Sequence, residues 1–320
     1  MIVCIHAPFP GAVGEYFTAL TRVAVPIFFM ITGFFYADVV GRGRRVAQIK
    51  KIFSLNVKAN VIFLIWKVVY NLAKGRQALI TFMADTFSAK AIMNFLLFND
   101  NCVGSHLWYL SAILYVLIIV YMADRLNLKR LLIFITPLLL FGDLVLGKYS
   151  LLLIGREIPY YYVRNFLFVG IPYFCIGNII HEYCNNLKRI KQEWLTVAIV
   201  LFSVTTVLER LFLISVGKNA IRDHYLSTTF LAISVFAYAL RKQYGNVELN
   251  KAGKILSIIG RKYSTDIYIL HPIIISIVKI IFGVLGLGSI YTGIAPIVVY
   301  LTTVVMLNIA QEFQRRILNR

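Results

Sequence analysis

Long apolar stretches recur along the whole chain, and short polar connections separate them. A helix needs about 20 mostly apolar residues to cross the hydrocarbon core of a bilayer. We predict membrane spans at residues 1–8, 21–38, 52–73, 107–123, 130–146, 165–181, 194–214, 226–240, 265–285 and 292–310. The first is incomplete, and residues 78–98 fit a re-entrant or an interfacial segment. The pattern predicts an all-α fold, a polytopic transmembrane helical bundle of about ten helices with the first one truncated.

The composition supports this interpretation. Of the 320 residues, 59% are hydrophobic and 15% are charged, and the mean hydropathy is +0.77. Soluble domains usually carry about 25% charged residues. No linker rich in proline, glycine or serine interrupts the apolar pattern, so we predict a single integral membrane domain over residues 1–320.

The net charge of +19 is concentrated in short clusters between the apolar stretches. This argues against a nucleic-acid partner, because connections that stay in the cytoplasm collect lysine and arginine. One set of alternate connections holds 20 Lys and Arg, namely 39–51, 124–130, 182–193, 241–264 and 311–320. The other set holds 7 when Arg164 at a helix edge is left aside, and it includes 9–20, 74–106, 147–164 and 215–225. We therefore expect the lipid bilayer as a partner, a cytoplasmic C-terminus and the second set of connections facing outward.

His6 lies near the outward end of the first predicted helix, just before Pro8 and Pro10. A neutral imidazole can take a proton from a hydroxyl group near neutral pH. A single histidine can equally be a hydrogen-bonded packing residue. His6 is therefore a candidate general base, with a packing role as the alternative.

The second span opens with Arg22 in the segment RVAVPIFFMITGFFY. Helical spacing places Arg22, Pro26, Phe29 and Gly33 along one stripe. Glycine in such a stripe lets the backbone of another helix come close. Arg22 is then either a group that holds an anion or an anchor at the membrane interface.

Two predicted outward segments, GSHLWYLSAILY and EIPYYYVRN, are rich in aromatic and polar residues. Tyrosine rings and hydrogen-bonding groups suit carbohydrate rings, while an aromatic belt at the membrane interface explains the same residues. The candidate substrate-binding residues in these segments are His106, Trp108, Tyr109, Tyr161 and Arg164.

The segment STDIYILHPII predicts a helix start, with Ser264 or Thr265 as the N-cap and Asp266 behind it. His271 then lies about two turns into the span and shares a face with Tyr268. Snorkelling does not explain a histidine at this depth. We expect Tyr268 and His271 to line a cavity, with interior packing as the alternative.

Several of these segments resemble the acyltransferase 3 family of bacterial membrane acyltransferases. The matching segments are IHAPFPG (5–11), RVAVPIFFMITGFF (22–35), HLWYLSAIL (106–114), YFCIGNII (173–180) and YSTDIYILHP (263–272). Motifs of other catalytic classes, such as GxSxG, HExxH and the P-loop, are absent from the sequence, and nothing in it argues for a metal.

The resemblance implies ten transmembrane helices that transfer an acyl group, often acetyl, from cytoplasmic acyl-CoA to a hydroxyl of an envelope glycan or a related acceptor. Acyl-CoA (acetyl-CoA) would be a co-substrate in the bacterial plasma membrane, with no cofactor bound permanently. The family signature in the first helix is an arginine followed by the catalytic histidine. His6 matches the histidine, whereas the arginine would lie before Met1, so this chain departs from the pattern. Either its first helix is incomplete, as we expect, or the family arginine is absent.

The resemblance also implies roles for the candidate residues. His6 and Arg22 would be catalytic, with His6 as general base and Arg22 or His106 orienting the acceptor or stabilising the oxyanion. His271 would line the path of acyl-CoA. The first basic connection would bind the phosphates of CoA through Arg42, Arg44 and Arg45.

A second function fits the same residues. Membrane domains of serine racemases of the vancomycin-resistance type have a segment similar to RVAVPIFFM, and amino-acid transport is proposed for them. The alternative is therefore a membrane transporter or substrate-binding domain for a small polar molecule such as serine. A purely structural scaffold fits poorly with histidines inside membrane spans. The sequence leaves the acceptor, the acyl chain and the oligomeric state open.

Overall fold

The computed structural model describes residues 1–187, 189–244 and 251–318, and every regular element in these ranges is helical. The helices are α1 (Ile2–His6), α2 (Gly11–Thr21), α3 (Ala24–Gly41), α4 (Arg45–Lys74), α5 (Arg76–Thr86), α6 (Ala89–Phe98), α7 (Trp108–Arg125), α8 (Lys129–Asp143), α9 (Ser150–Leu153), α10 (Ile171–Glu182), α11 (Cys184–Leu187), α12 (Gln192–Ser215), α13 (Leu226–Tyr244), α14 (Lys251–Val284) and α15 (Gly288–Leu318). Short 3₁₀ turns lie at Ser105–Leu107 and Tyr160–Tyr162, and π-helical turns lie at Leu144–Lys148 and Phe166–Gly170.

Helical residues coincide with each of the ten predicted spans, so the prediction of a polytopic helical bundle is confirmed. Within the described ranges, 7 stretches are long and apolar enough to cross a membrane. They are Gly11–Gly41, Arg45–Lys74, Ser105–Arg125, Lys129–Lys148, Gln192–Ser215, Lys251–Val284 and Gly288–Arg316. Large apolar side chains such as Phe134, Leu138 and Val200 are exposed on these helices, which suits contact with lipid rather than with water.

The chain divides into two compact units, and the prediction of one domain stays a prediction. Unit 1 comprises residues 1–22 and 245–320, and unit 2 comprises residues 23–244. In unit 1, α14 packs along α15, and α1 contacts both helices. The buried core of unit 1 consists of Val3, Ala7, Tyr263, Ile267, Ile274, Val278, Ala295, Val299 and Leu307.

Unit 2 is centred on the pair α3 and α10, which pack closely. A Cβ atom on Gly33 would lie 2.0 Å from the carbonyl oxygen of Phe174, and one on Gly177 would lie 2.0 Å from that of Met30. Each glycine therefore lies against the backbone of the opposite helix, and no larger residue fits at either position. The predicted role of Gly33 in close helix packing is confirmed.

The other helices of unit 2 pack in pairs beside this centre. α12 pairs with α13, α4 with α7, and α8 with α10. The π-helical turn Phe166–Gly170 leads into α10, and Asn165 caps it by accepting hydrogen bonds from the N–H groups of Leu167 and Phe168 at 2.9 and 3.1 Å. This cap fixes the segment that carries Arg164.

The predicted start of the helix that carries His271 is wrong. α14 begins at Lys251, so Ser264 and Thr265 lie inside the helix and do not cap it. Lysine and arginine alternate with isoleucine and leucine at helical spacing between Lys251 and Tyr263, and no proline interrupts them. The helix forms through the stretch between Lys251 and Tyr263 because apolar residues recur there at helical spacing. The charged residues of this stretch hid the helix start from a prediction based on hydropathy.

Two other connections are shorter than predicted, and the segment predicted to be re-entrant or interfacial is helical. The residues 9–20 are mostly helical in α2, which starts directly after Pro10. α4 begins at Arg45, so the first basic connection is only a short turn. Residues 78–98, interpreted as re-entrant or interfacial, form α5 and α6.

Candidate functional site

His6 and His271 lie next to each other in unit 1. Their ring centroids are 5.1 Å apart with an interplanar angle of 50°. His6 is the last residue of α1 and is exposed, because the helix ends before Pro8. His271 is fully buried in α14. The pair therefore joins an exposed histidine to a buried one.

Pro272 explains how His271 is held. A proline has no N–H group, so Pro272 leaves the carbonyl of Tyr268 without its usual helical donor. The Nδ1 of His271 lies 2.9 Å from that oxygen and 2.9 Å from the carbonyl oxygen of Ile267. Carbonyl oxygens only accept hydrogen bonds, so Nδ1 carries the ring proton. In the neutral ring, Nε2 is then the basic nitrogen.

The other predicted site residues of unit 1 are Tyr268 and Arg22. The ring of Tyr268 lies 6.5 Å from that of His271, as expected for residues on one helix face. Arg22 follows the last residue of α2 and is half-buried. It lies directly before α3, at the start of the predicted second span, and it belongs to the same unit as His6.

The predicted residues of the segment 104–115 lie in unit 2. His106 is buried, and its ring lies 4.3 Å from the ring of Phe63. The rings of Trp108 and Tyr109 lie 6.2 and 4.8 Å from the ring of Phe29. These aromatic residues pack α7 against α3, so the structure gives them a packing role whatever else they do.

Arg164 and Tyr161 lie in the connection between α9 and α10. The guanidinium carbon of Arg164 lies 4.1 Å from the ring centroid of Tyr160 and 5.2 Å from that of Trp108. The ring of Tyr161 lies 5.5 Å from the ring of Phe98. A hydrogen bond with Tyr162 raises the pKa of the Tyr161 phenol, so its hydroxyl stays protonated at neutral pH. The contact between Arg164 and Trp108 brings the two predicted outward segments together.

The three predicted CoA-binding arginines surround the turn between α3 and α4. Arg42 and Arg44 are exposed, while Arg45 is half-buried with its Nε 3.9 Å from the carboxylate of Asp124. The hydroxyl of Tyr36 donates to the same carboxylate at 3.3 Å. A cavity of about 200 Å³ lies beside them, lined by Ile31, Thr32, Phe35, Tyr36, Val39, Gln48 and Leu117.

Sequence reasoning missed a polar cluster in unit 2. The Nδ1 of His224 donates to a carboxylate oxygen of Asp143 at 2.9 Å, and both side chains are buried. A cavity of about 10 Å³ beside them is lined by Asp143, Lys148, Tyr160, Arg164, Arg222, Asp223 and His224. Asp143 lies inside a predicted span, so the rule that singled out His271 could have found it as well.

Hydrogen bonds within this cluster join two connections of unit 2. The Nζ of Lys148 donates to the carbonyl oxygens of Ala220 and Arg222 at 2.8 and 3.3 Å. The guanidinium of Arg222 donates to the carbonyl oxygen of Ile158 and lies 3.5 Å from the carboxylate of Glu157. Lys148 and Arg222 therefore hold the connection 216–225 against residues 148–158.

Comparison with known proteins identifies the family. A family model described as an acyltransferase domain, acyltransferase 3, matches residues 1–310 of this chain. No curated protein and no solved structure gives a match. The family model covers both units and includes the pair of His6 and His271. Because the match extends over nearly the whole sequence, the chain belongs to the acyltransferase 3 family and is a membrane acyltransferase.

Proposed function

We propose that this protein transfers an acyl group, acetyl in the simplest case, from acyl-CoA to a hydroxyl group of a cell-envelope glycan, with His6 as the general base. The observation that supports this proposal is the exposed imidazole of His6 next to the buried imidazole of His271. A general base has to be within reach of the hydroxyl proton that it removes. An exposed histidine at the end of a helix meets that requirement.

The proposed reaction needs only acyl-CoA, the acceptor hydroxyl and residues of this chain. The imidazole of His6 takes the proton of the acceptor hydroxyl, and the hydroxyl oxygen attacks the thioester carbonyl carbon. Negative charge develops on the carbonyl oxygen, and Arg22, which belongs to the same unit as His6, stabilises it. The carbon–sulfur bond then breaks, and the departing CoA thiolate takes the proton from the His6 imidazolium. The products are the acyl ester and CoA.

His271 is a positioning residue in this proposal. Its proton is fixed on Nδ1 by two backbone carbonyls, so a neutral His271 presents a basic edge to its surroundings. A basic edge favours the protonated form of a neighbouring imidazole. His271 therefore stabilises the imidazolium that His6 becomes during the reaction. It would also line the path of acyl-CoA beside Tyr268.

The proposed donor site is the turn between α3 and α4. The exposed Arg42 and Arg44 are available to bind the phosphates of CoA, and Arg45 is partly engaged by Asp124. The adjacent cavity of about 200 Å³ combines apolar side chains with Gln48 and Tyr36, which suits an arm that contains amides and ends in an acyl group. With the positive-inside rule, this site faces the cytoplasm of a bacterial plasma membrane, as does the C-terminus.

The test is acyl transfer by the full chain reconstituted in lipid nanodiscs, with radiolabelled acetyl-CoA and purified bacterial envelope glycans. His6→Ala should lower kcat by about 100-fold or more, since a positioned general base contributes roughly 10² to 10⁴. His181→Gln is the matched control, because His181 has no proposed role. Equal loss in both variants, or full activity of His6→Ala, contradicts the proposal. Stereospecific uptake of serine without acyl transfer supports the transporter instead.

The donor site has its own test. Arg42→Gln combined with Arg44→Gln should raise the KM for acetyl-CoA about tenfold with little change in kcat, because each charge-assisted hydrogen bond to a phosphate is lost equally in the ground state and the transition state. Arg130→Gln, which removes an exposed charge from another basic connection, is the control. An unchanged KM in the double variant rejects this placement of the donor.

A further inference from the structure

Arg164 differs from the other cations of its cluster in what its guanidinium contacts. The group lies over the rings of Tyr160 and Trp108 at 4.1 and 5.2 Å. Within the described residues, no carboxylate lies within ion-pair distance of it and no oxygen accepts a hydrogen bond from it. A guanidinium has five N–H donors in a planar fork that matches a carboxylate or a phosphate.

The neighbouring cations are occupied by the protein itself. Arg222 donates to backbone carbonyls and lies 3.5 Å from Glu157, and Lys148 donates to two backbone carbonyls. Those contacts explain why both side chains are present without any ligand. The two rings beside Arg164 hold its guanidinium in place by cation–π attraction but leave its edge, where the donors are, available.

The backbone around Arg164 is fixed from both sides. Its own N–H donates to the carbonyl of Tyr160 at 2.9 Å. The buried side chain of Asn165 donates to the carbonyls of Tyr161 and Tyr162 at 3.1 and 2.9 Å. The N–H of Phe166 donates to the side chain of Asn99 at 2.8 Å. A group held this firmly loses little conformational freedom when it binds a ligand.

The cavity beside Arg164 limits what can bind. Its volume of about 10 Å³ is close to the minimum for a single water molecule. A ligand group therefore meets Arg164 at the cavity mouth rather than inside. The two carboxylates that line the cavity are engaged, since Asp143 accepts from His224 and Asp223 accepts from the hydroxyl of Tyr160. Three cations line the same cavity, so the local charge favours an anion.

We infer that Arg164 binds an anionic group, a carboxylate or a phosphate, of the acyl acceptor, and that the acceptor is an acidic carbohydrate whose ring packs on Tyr160 and Trp108. The identity of the ligand as the acceptor rests on the proposed function. The binding of an anion at Arg164 does not, because it needs neither acyl-CoA nor His6.

The experiment uses the fluorescence of Trp108, which lies against the guanidinium. The chain has 3 tryptophans, and replacing Trp66 and Trp194 with phenylalanine leaves Trp108 as the reporter. The full chain in nanodiscs is titrated with D-glucuronate, with inorganic phosphate and with D-glucose at constant ionic strength. We expect a saturable change with at least one anion and none with glucose. Glucuronate alone indicates a uronic acid, and phosphate alone indicates a phosphorylated sugar.

Variants separate the site from general charge effects. Arg164→Gln should weaken anion binding at least tenfold, and Arg164→Lys should weaken it severalfold because the planar fork is lost. Arg156→Gln, an exposed arginine of the same connection, should bind like the parent. If the Arg164→Gln variant does not fold, the anion affinity of the Arg164→Lys variant provides the test. No saturable change with either anion, an equal change with glucose, or equal affinity in the parent and the folded Arg164 variant overturns the inference.

His6→Ala distinguishes this inference from the proposed function. Anion binding should be unchanged in that variant, whereas acyl transfer should be lost. Binding without any acyl transfer by the parent protein would keep the anion site and reject the acyltransferase mechanism. Acyl transfer without anion binding would keep the acyltransferase mechanism and reject the anion site.

Discussion

The two units each hold a histidine in a close pair, and the surroundings of the two pairs differ. In unit 1, His6 is exposed and its ring lies 5.1 Å from that of the buried His271. In unit 2, His224 and Asp143 are both buried and share a hydrogen bond of 2.9 Å. A substrate can reach the first pair but not the second. Under the proposed function, burial and adjacent charge, rather than residue type, separate the reactive histidine from the structural one.

The buried pair has a structural task. Asp143 is the last residue of α8, and His224 lies in the connection between α12 and α13. Their hydrogen bond joins elements 81 positions apart in the sequence. A buried carboxylate is costly unless it is paired, so removing either partner leaves the other one buried without its hydrogen bond. Removing His6 from the first pair has no comparable cost, because His6 is exposed.

The largest expected effect tests this contrast through stability. Asp143→Ala should lower the free energy of unfolding by about 3 kcal/mol, since it leaves a buried partner uncompensated. Glu182→Ala removes a carboxylate from the half-exposed pair with Lys129 in the same unit, and such pairs contribute about 0–1 kcal/mol. Unfolding in detergent by a chemical denaturant measures both. His6→Ala should leave stability nearly unchanged.

A double-mutant cycle between Asp143 and His224 gives the control for this prediction. The loss in the double variant should be smaller than the sum of the two single losses, because each single change already breaks the pair. Additive losses, or a cost for Asp143→Ala no greater than that for Glu182→Ala, would show that the buried pair does not hold the two elements together. The contrast between the units would then fail.

The helices were predictable because an apolar stretch long enough to cross the bilayer has to form a helix there. The ten predicted spans all coincide with helical residues, since hydrocarbon demands that every backbone group be bonded within its own segment. The start of α14 was not predictable by hydropathy. Its first part is amphipathic, so it forms a helix although its charged face lowers the average.

The candidate site was predictable in part. His6 and His271 were singled out by depth and by neighbouring prolines, and the structure brings them together across 265 positions of sequence, from residue 6 to residue 271. The cluster around Asp143 and His224 was missed, because the carboxylate inside the predicted span 130–146 was not singled out and its partner His224 lies in a connection. The stack of Arg164 on Tyr160 and Trp108 depends on long-range packing, which no local pattern contains.

The second prediction tests the role of His271 within the first pair. His271→Asn keeps an N–H donor at the position of Nδ1 for the carbonyl that Pro272 leaves open, so the helix should stay intact. It removes the basic ring nitrogen beside His6, so kcat should fall about tenfold with little change in the KM for acetyl-CoA. His181→Gln is again the control. A melting temperature lowered together with an unchanged kcat would assign His271 a packing role only.

The smallest expected effect is a difference in chemical reactivity. Diethylpyrocarbonate modifies accessible neutral imidazoles, and mass spectrometry locates each modified histidine. His6 should react severalfold faster than His106, His224 and His271, because those three are buried and the reagent has to reach the ring. Acyl transfer should be lost at the same rate as His6 is modified. If His224 instead reacts as fast as His6, the second pair opens to solvent on the timescale of the experiment, and burial no longer distinguishes the two histidines.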